Sequence, residues 1–134
     1  MKITIVLPTY NEARNLPEMV SLLFKLPLSN LNIIVIDDNS PDHTGDIAEE
    51  VACSYPGRMK VVHNPGKMGL GAAYIKGFRL ALKDGADIIG QMDSDFSHPV
   101  DKVVSLVESL KDCDIAIGSR YISGGSEWPP QQCA

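Results

Sequence analysis

Short runs of β-branched and aliphatic residues recur along this chain, each followed by a stretch whose apolar residues fall at helical spacing. Ile3-Thr4-Ile5-Val6-Leu7, ended by Pro8, opens the series; Ile33-Ile34-Val35-Ile36 and residues 59–63, 87–92 and 114–118 continue it. Between the first two runs, residues 13–25 place Leu16, Met19, Val20, Leu23 and Phe24 on one helical face, with Pro17 suited to the first turn. Further helices are expected near residues 44–55, over 71–83, and over 100–110 behind Pro99. Strands that are apolar almost throughout are buried on both faces. Their alternation with helices therefore predicts an α/β fold, a mostly parallel sheet with helices on both faces. Crossovers in such a sheet are right-handed, and ligands bind beyond the carboxyl ends of its strands.

That polarity sorts the polar motifs. Pro8-Thr9-Tyr10-Asn11-Glu12 follows the first strand and Asp37-Asp38-Asn39-Ser40 the second. Asp93-Ser94-Asp95 follows the fourth, and Gly118-Ser119-Arg120-Tyr121 the fifth. Three clusters bring carboxylates and the last a fixed cation, all toward one rim. Two carboxylates one residue apart suit Mg²⁺ or Mn²⁺, which prefer hard oxygen ligands and share them with substrate phosphates. The pattern is not unique: Asp112-Cys113-Asp114 repeats it ahead of the fifth strand, where helix exit and strand entry account for it. Asp38 is either an acceptor for a base or ribose or part of an Asx turn with Asn39, Ser40 and Pro41. Glu12 either faces a ligand or favours the positive end of the first helix. Tyr10 either stacks on a base or covers its loop.

Composition narrows the partners. A net charge of -5 argues against nucleic acid, whose binding depends on basic neutralisation of phosphates. Cys53, Cys113 and Cys133 lack the spacing of a disulfide framework or a zinc site, so a reducing, cytoplasmic setting is expected. His43, His63 and His98 show no metal-ligand spacing either, and are expected in surface or loop roles. Gly66-Lys67 lacks the Ser or Thr of a P-loop, and Tyr74 stands where a dinucleotide fingerprint needs its third glycine. The glycines at 69 and 71 still permit backbone to approach a ligand closely. Residues 124–134 follow neither period and read as an irregular tail beyond a core of residues 1–123.

Taken in order, Leu7-Pro8-Thr9-Tyr10-Asn11-Glu12, Ile36-Asp37-Asp38-Asn39-Ser40-Pro41-Asp42, Gly69-Leu70-Gly71-Ala72-Ala73-Tyr74, Met92-Asp93-Ser94-Asp95-Phe96-Ser97-His98-Pro99 and Gly118-Ser119-Arg120-Tyr121 resemble the family 2 glycosyltransferases of GT-A (Rossmann-like) fold. Within them the chain is most similar to the dolichol-phosphate (polyprenyl-phosphate) mannosyltransferase group. The resemblance implies that Pro8, Tyr10, Glu12, Ile36 and Asp38 line a nucleoside pocket. Asp93, Ser94 and Asp95 would lie along ribose, diphosphate and metal, with Asp95 the principal ligand and Ser97 near the ion. Arg120 would contact the sugar-phosphate region, and Asp95 and Arg120 would be the catalytic pair. The implied donor is GDP-mannose, the cofactor Mg²⁺ or Mn²⁺, and the acceptor a polyprenyl phosphate. The implied place is the cytosol or the cytosolic face of the endoplasmic reticulum or a bacterial or archaeal inner membrane, with a membrane subunit as a further candidate partner.

The resemblance also implies a longer catalytic domain, continuing past Tyr121 with acceptor-side helices, so a C-terminally truncated chain is expected. Two other readings stay open: a different polyprenyl-phosphate glycosyltransferase of the family, and an inactive nucleotide-sugar-binding fragment. A nucleotidyltransferase is disfavoured because no Gly-rich phosphate loop follows the first strand.

Overall fold

The computed structural model describes residues 1–118. Four strands form, β1 (Ile3–Thr9), β2 (Leu31–Asp37), β3 (Met59–His63) and β4 (Ile88–Gln91), interleaved with α1 (Leu16–Phe24), α2 (Thr44–Ala52) and α3 (Leu70–Lys83). All pairings are parallel, in the order β3-β2-β1-β4. Residues Met1–Val100 make one compact unit. The described residues from Asp101 onward belong to a second unit, which holds α4 (Val103–Ser109).

Strand alternation assigns the helices to faces. Val6, Ile34 and Ile36 are buried together with Ala73, Tyr74 and Ala81 of α3. Ile5, Leu7, Ile33 and Val35 point the other way and are equally buried, as are Leu16, Met19, Val20 and Leu23 of α1 and Ala48 of α2, the helix that packs against β2, β3 and α1. Each such aliphatic side chain contributes about 1.5–3 kcal/mol on leaving water, so the two-faced sheet is the main source of stability.

Pro8 was expected to end the first strand, but β1 runs through it to Thr9, paired with Ile36 and Asp37 of β2. The reason is directional. Val6 presents its carbonyl to Met92 on the β4 side, whereas Thr9 presents its carbonyl to Asp38 on the β2 side. Pro8, two residues on from Val6, therefore faces β4, whose ladder has already stopped at Gln91. Its missing N–H removes no bond.

Helix ends differ from expectation by a few residues. Residues 12–15 form a turn before α1, in which the Glu12 carbonyl accepts the N–H groups of Asn15 and Leu16. Helix α2 stops at Ala52, and the fourth helix opens with a 3₁₀ turn at Val100–Lys102. The larger correction concerns residues 114–118, expected as a fifth strand. They form no strand, and Ile115 and Ile117 are 76% and 81% exposed. An alternating apolar run becomes a strand only where a neighbour satisfies its backbone, and none of the described strands pairs with it.

Helix α3 can lie where it does because of Gly77, at which an added Cβ would stand 2.3 Å from Val6 Cγ1. Gly77→Ala gains about 1 kcal/mol of helix propensity. That gain is outweighed by overpacking of about 1–3 kcal/mol or more against a β-branched strand residue. We expect a lower urea midpoint for Gly77→Ala, with Val6→Ala in the same chain restoring part of the loss.

Candidate active site at the carboxyl ends of the strands

Strand order reverses between β1 and β4, which opens a crevice at their carboxyl ends. Ser94, just past β4, spans it: its buried Oγ donates to the Pro8 carbonyl at 2.9 Å. This bond joins the two strand ends where the backbone ladder has run out. Ser94 is 3% exposed, so its hydroxyl serves first as a staple between strands.

The turn after β2 uses its two acids differently. Asp37 is a loop brace, accepting the Thr9 hydroxyl (2.7 Å), the Ser40 hydroxyl (2.6 Å) and the Ser40 N–H (3.0 Å). Asp38 accepts the Asn64 side-chain amide (2.8 Å) and the Met68 N–H (3.1 Å), tying the 64–69 loop to the rim. Ile36 is wholly buried in the α3-side core. It forms the floor below Asp38, not an exposed wall.

The loop after β4 holds its carboxylates on opposite footings. Asp93 accepts the Tyr74 hydroxyl at 2.9 Å, and its N–H donates to His98 Nδ1 at 3.1 Å. His98 Nδ1 must carry no proton to accept, which leaves the ring N–H on Nε2, 3.9 Å from the second Asp93 oxygen. Burial, together with Asp93 and Asp95, pushes the Tyr74 phenol far above its ordinary value, so it remains a donor. Among the described residues, Asp95 is bonded only within its own loop. Desolvation works against its charge, but the Ser97 side chain and N–H (3.0 Å) hold it ionised, below the ordinary carboxylate range.

Glu12 reaches the same field from the other side of the crevice. Its N–H donates to Thr44 and its carboxylate accepts from Asn15. Desolvation, followed by repulsion from Asp95, Asp42 and Asp93, raises its pKa despite the Asn15 bond. Asp42 moves the opposite way. Desolvation opposes its charge, yet bonds from Thr44 and the Ala13 N–H keep it low, clamping the turn before α1 to the start of α2.

Tyr10 lies at the edge with the Lys67 ammonium 4.3 Å above its ring, a cation–π contact. Asn11, Asn39, His43 and Phe96 all take positive φ on rim loops, as does Gly69 at the start of α3. Left-handed backbone is thus concentrated where these loops fold back over the strand ends. A cavity of about 230 Å³ lies at the opposite, amino ends, lined by Lys2, Thr4, Arg58, Lys60 and Asp84. Both lysines there are bonded to Asp84, and it shares no residue with the rim.

The structure thus brings Pro8, Tyr10, Glu12, Asp38, Asp93, Ser94, Asp95 and Ser97 to one rim, over Ile36. Arg120, with Ser119 and Tyr121, lies outside the described residues. Asp112-Cys113-Asp114 sits in exposed chain beyond α4. Sequence reasoning missed Asn64, Tyr74, Lys76 and His98 as supports of the acidic residues. Only His98, five residues from Asp93, left a local trace. Among the described residues, no group of three or more His, Cys, Asp or Glu is arranged to hold a metal ion. What the rim offers instead is a pair, Asp93 and Asp95. Two carboxylates fit Mg²⁺ or Mn²⁺ when phosphate oxygens complete the shell.

An α/β sheet with an acidic pair at its switch point is the architecture of a GT-A glycosyltransferase. The chain belongs to glycosyl transferase family 2, which it matches over residues 4–133. It is 41% identical over 128 residues to the polyprenol monophosphomannose synthase of Mycolicibacterium smegmatis, covering 93% of this chain and 48% of that protein. It is also 41% identical over 133 residues to the dolichol-phosphate mannosyltransferase of Pyrococcus furiosus, covering 96% of this chain and 36% of the relative. The chain therefore spans about half, or less, of the length of these relatives. A mannosyltransferase of Pyrobaculum calidifontis, solved in complex with GDP-Man and Mn²⁺, superposes with a TM-score of 0.66 at 24% identity, over 84% of this chain and 33% of that one. Glucosyl-3-phosphoglycerate synthase of Mycobacterium tuberculosis, solved with Mn²⁺ and UDP, gives 0.61 at 26% identity over 81% and 39%.

A carboxyl whose folded pKa is raised opposes folding once it ionises. For Glu12 the penalty is absent below the ordinary carboxyl range and complete above its raised value. Glu12→Gln keeps an oxygen for Asn15 and removes the repulsion. Its melting temperature should exceed that of the unsubstituted chain at neutral pH, and the difference should vanish in acid.

Proposed function

We propose that this chain carries the donor site of a metal-dependent, inverting mannosyltransferase that moves mannose from GDP-mannose to a polyprenyl phosphate such as dolichyl phosphate. The observation that supports it most is the Asp93/Asp95 pair at the β1–β4 switch point, in a chain 41% identical to relatives named as polyprenol or dolichol-phosphate mannose enzymes. The superposition on a mannosyltransferase solved with GDP-Man and Mn²⁺ supports the same donor and ion.

In this reading Asp38, Tyr10, Pro8 and Glu12 surround the nucleoside, with Ile36 as its floor. Asp95, held ionised by bonds from Ser97 in its own loop, is the principal metal ligand, with Asp93 and Ser97 beside it. An ion held there, Mg²⁺ or Mn²⁺, would supply positive charge against the departing diphosphate. Arg120 acts on the same sugar-phosphate region.

The acceptor phosphate is anionic near neutral pH and needs no protein base. One of its oxygens attacks the anomeric carbon, the bond from that carbon to the GDP β-phosphate oxygen breaks, and GDP leaves from the opposite face. Inversion follows. The rim's task is positioning and charge control. No helix among the described residues is long and apolar enough to cross a membrane. Independently of that, the proposed lipid-linked acceptor calls for contact with the cytosolic face of a membrane, of the endoplasmic reticulum or of a bacterial or archaeal cell, directly or through a membrane subunit.

Calorimetry with GDP-mannose and Mn²⁺ tests the donor site. Asp95→Ala should reduce metal-dependent affinity by at least about two orders of magnitude, as loss of a metal ligand does, with the fold intact. Asp112→Ala, in the second Asp-x-Asp, should leave affinity unchanged. Equal losses at both positions, or binding of UDP-sugars in place of GDP-mannose, would overturn the assignment.

A further inference from the structure

Asp38 is supported by a relay that begins on α3. Lys76 Nζ lies 2.6 Å from Asn64 Oδ1, and Asn64 Nδ2 lies 2.8 Å from Asp38 Oδ1. An ammonium can only donate, so it fixes which end of the Asn64 amide is oxygen. The amide nitrogen is thereby forced toward Asp38, whose oxygen must accept.

The two donors on Asp38 differ in permanence. Asn64 is 3% exposed and anchored by its own N–H to the Asp37 carbonyl at 2.8 Å. Met68, whose N–H meets the second Asp38 oxygen, is 57% exposed and sits beside Gly69, whose φ is +93°. The inner bond belongs to the frame. The outer one is an N–H that another N–H can join or replace.

From this arrangement we infer that Asn64 and Lys76 are positioning residues for base selection, holding the Asp38 carboxylate as a rigid acceptor for a base with two adjacent coplanar N–H donors. Guanine offers such an edge, N1–H beside the 2-amino group. Hypoxanthine offers only the first, and uracil a single N3–H. The inference rests on the donor reading above, in which Asp38 faces the nucleoside. Selectivity follows from the fixed plane: a carboxylate free to turn satisfies one donor as well as two, whereas a locked one favours the matching pair.

The test compares GDP and IDP, which differ only by the 2-amino group, with Mn²⁺ present. The unsubstituted chain should favour GDP by on the order of tenfold, the worth of one hydrogen bond to a charged group. In Asn64→Leu the GDP-to-IDP ratio should collapse toward one, chiefly through loss of GDP affinity. Lys76→Met, on the exposed side of α3, should move the ratio the same way by a smaller factor while preserving the melting temperature, so the test survives if Asn64→Leu does not fold. A merely structural role would weaken both nucleotides alike. Unchanged ratios in both variants, or parallel losses, overturn the relay and leave the donor site standing. No GDP binding by the unsubstituted chain overturns the donor reading, and this inference with it.

Discussion

Helix α3 rests on the sheet at a point where it has no side chain. With Gly77 against Val6, the helix axis comes closer to β1 than any Cβ permits. The same helix carries Tyr74, which donates to Asp93, and Lys76, which acts through Asn64 on Asp38. Two carboxylates from different strands are therefore set by one rigid element. Their spacing follows from how deeply α3 is seated, and a shift of the helix would move both supports together.

The front of the rim is held by a different device. Beyond Gln91 the backbone ladder between β1 and β4 ends, and only Met92 N–H to Val6, at 3.4 Å, continues it. Ser94 replaces the missing ladder bond with a side chain. A buried hydroxyl bond of this kind contributes about 1 kcal/mol net, and leaving the Pro8 carbonyl unpaired would cost more. Proline at position 8 and serine at position 94 are complementary: one surrenders a donor and the other supplies one.

The sheet was legible in the sequence because burial on both faces leaves a continuous apolar run. The β3 bounds of Met59–His63 coincide with the pattern, while Pro8 misled. Local reading treats proline as a strand terminator, but its effect depends on which neighbour the missing N–H would face, which is topological information. The run Asp114-Ile115-Ala116-Ile117-Gly118 shows the converse, strand composition without a partner among the described strands. At the rim, sheet polarity brought the acidic clusters into view together. Their supports remained invisible, since Tyr74 and Asp93 are 19 residues apart and Asn64 and Asp38 are 26 apart. No periodicity encodes such pairings.

The acidic residues of the rim differ in how far the protein has already satisfied them. Asp37 takes donors from Thr9 and Ser40, and Asp42 from Thr44 and Ala13, so both are committed to the loops they brace. Asp38 and Asp93 each lean on α3, Asp38 through Asn64 and Lys76 and Asp93 through Tyr74, which restrains their planes. Among the described residues, Asp95 draws its bonds from Ser97, within its own loop. Burial first, and then repulsion from Asp95, Asp42 and Asp93, raises the pKa of Glu12, while the Ser97 bonds keep that of Asp95 low. In the proposed donor site, a cation at Asp95 would offset this field without breaking any bond between the described secondary-structure elements. The clustered carboxylates then favour positive charge, and a diphosphate would be expected to enter alongside the ion that offsets it.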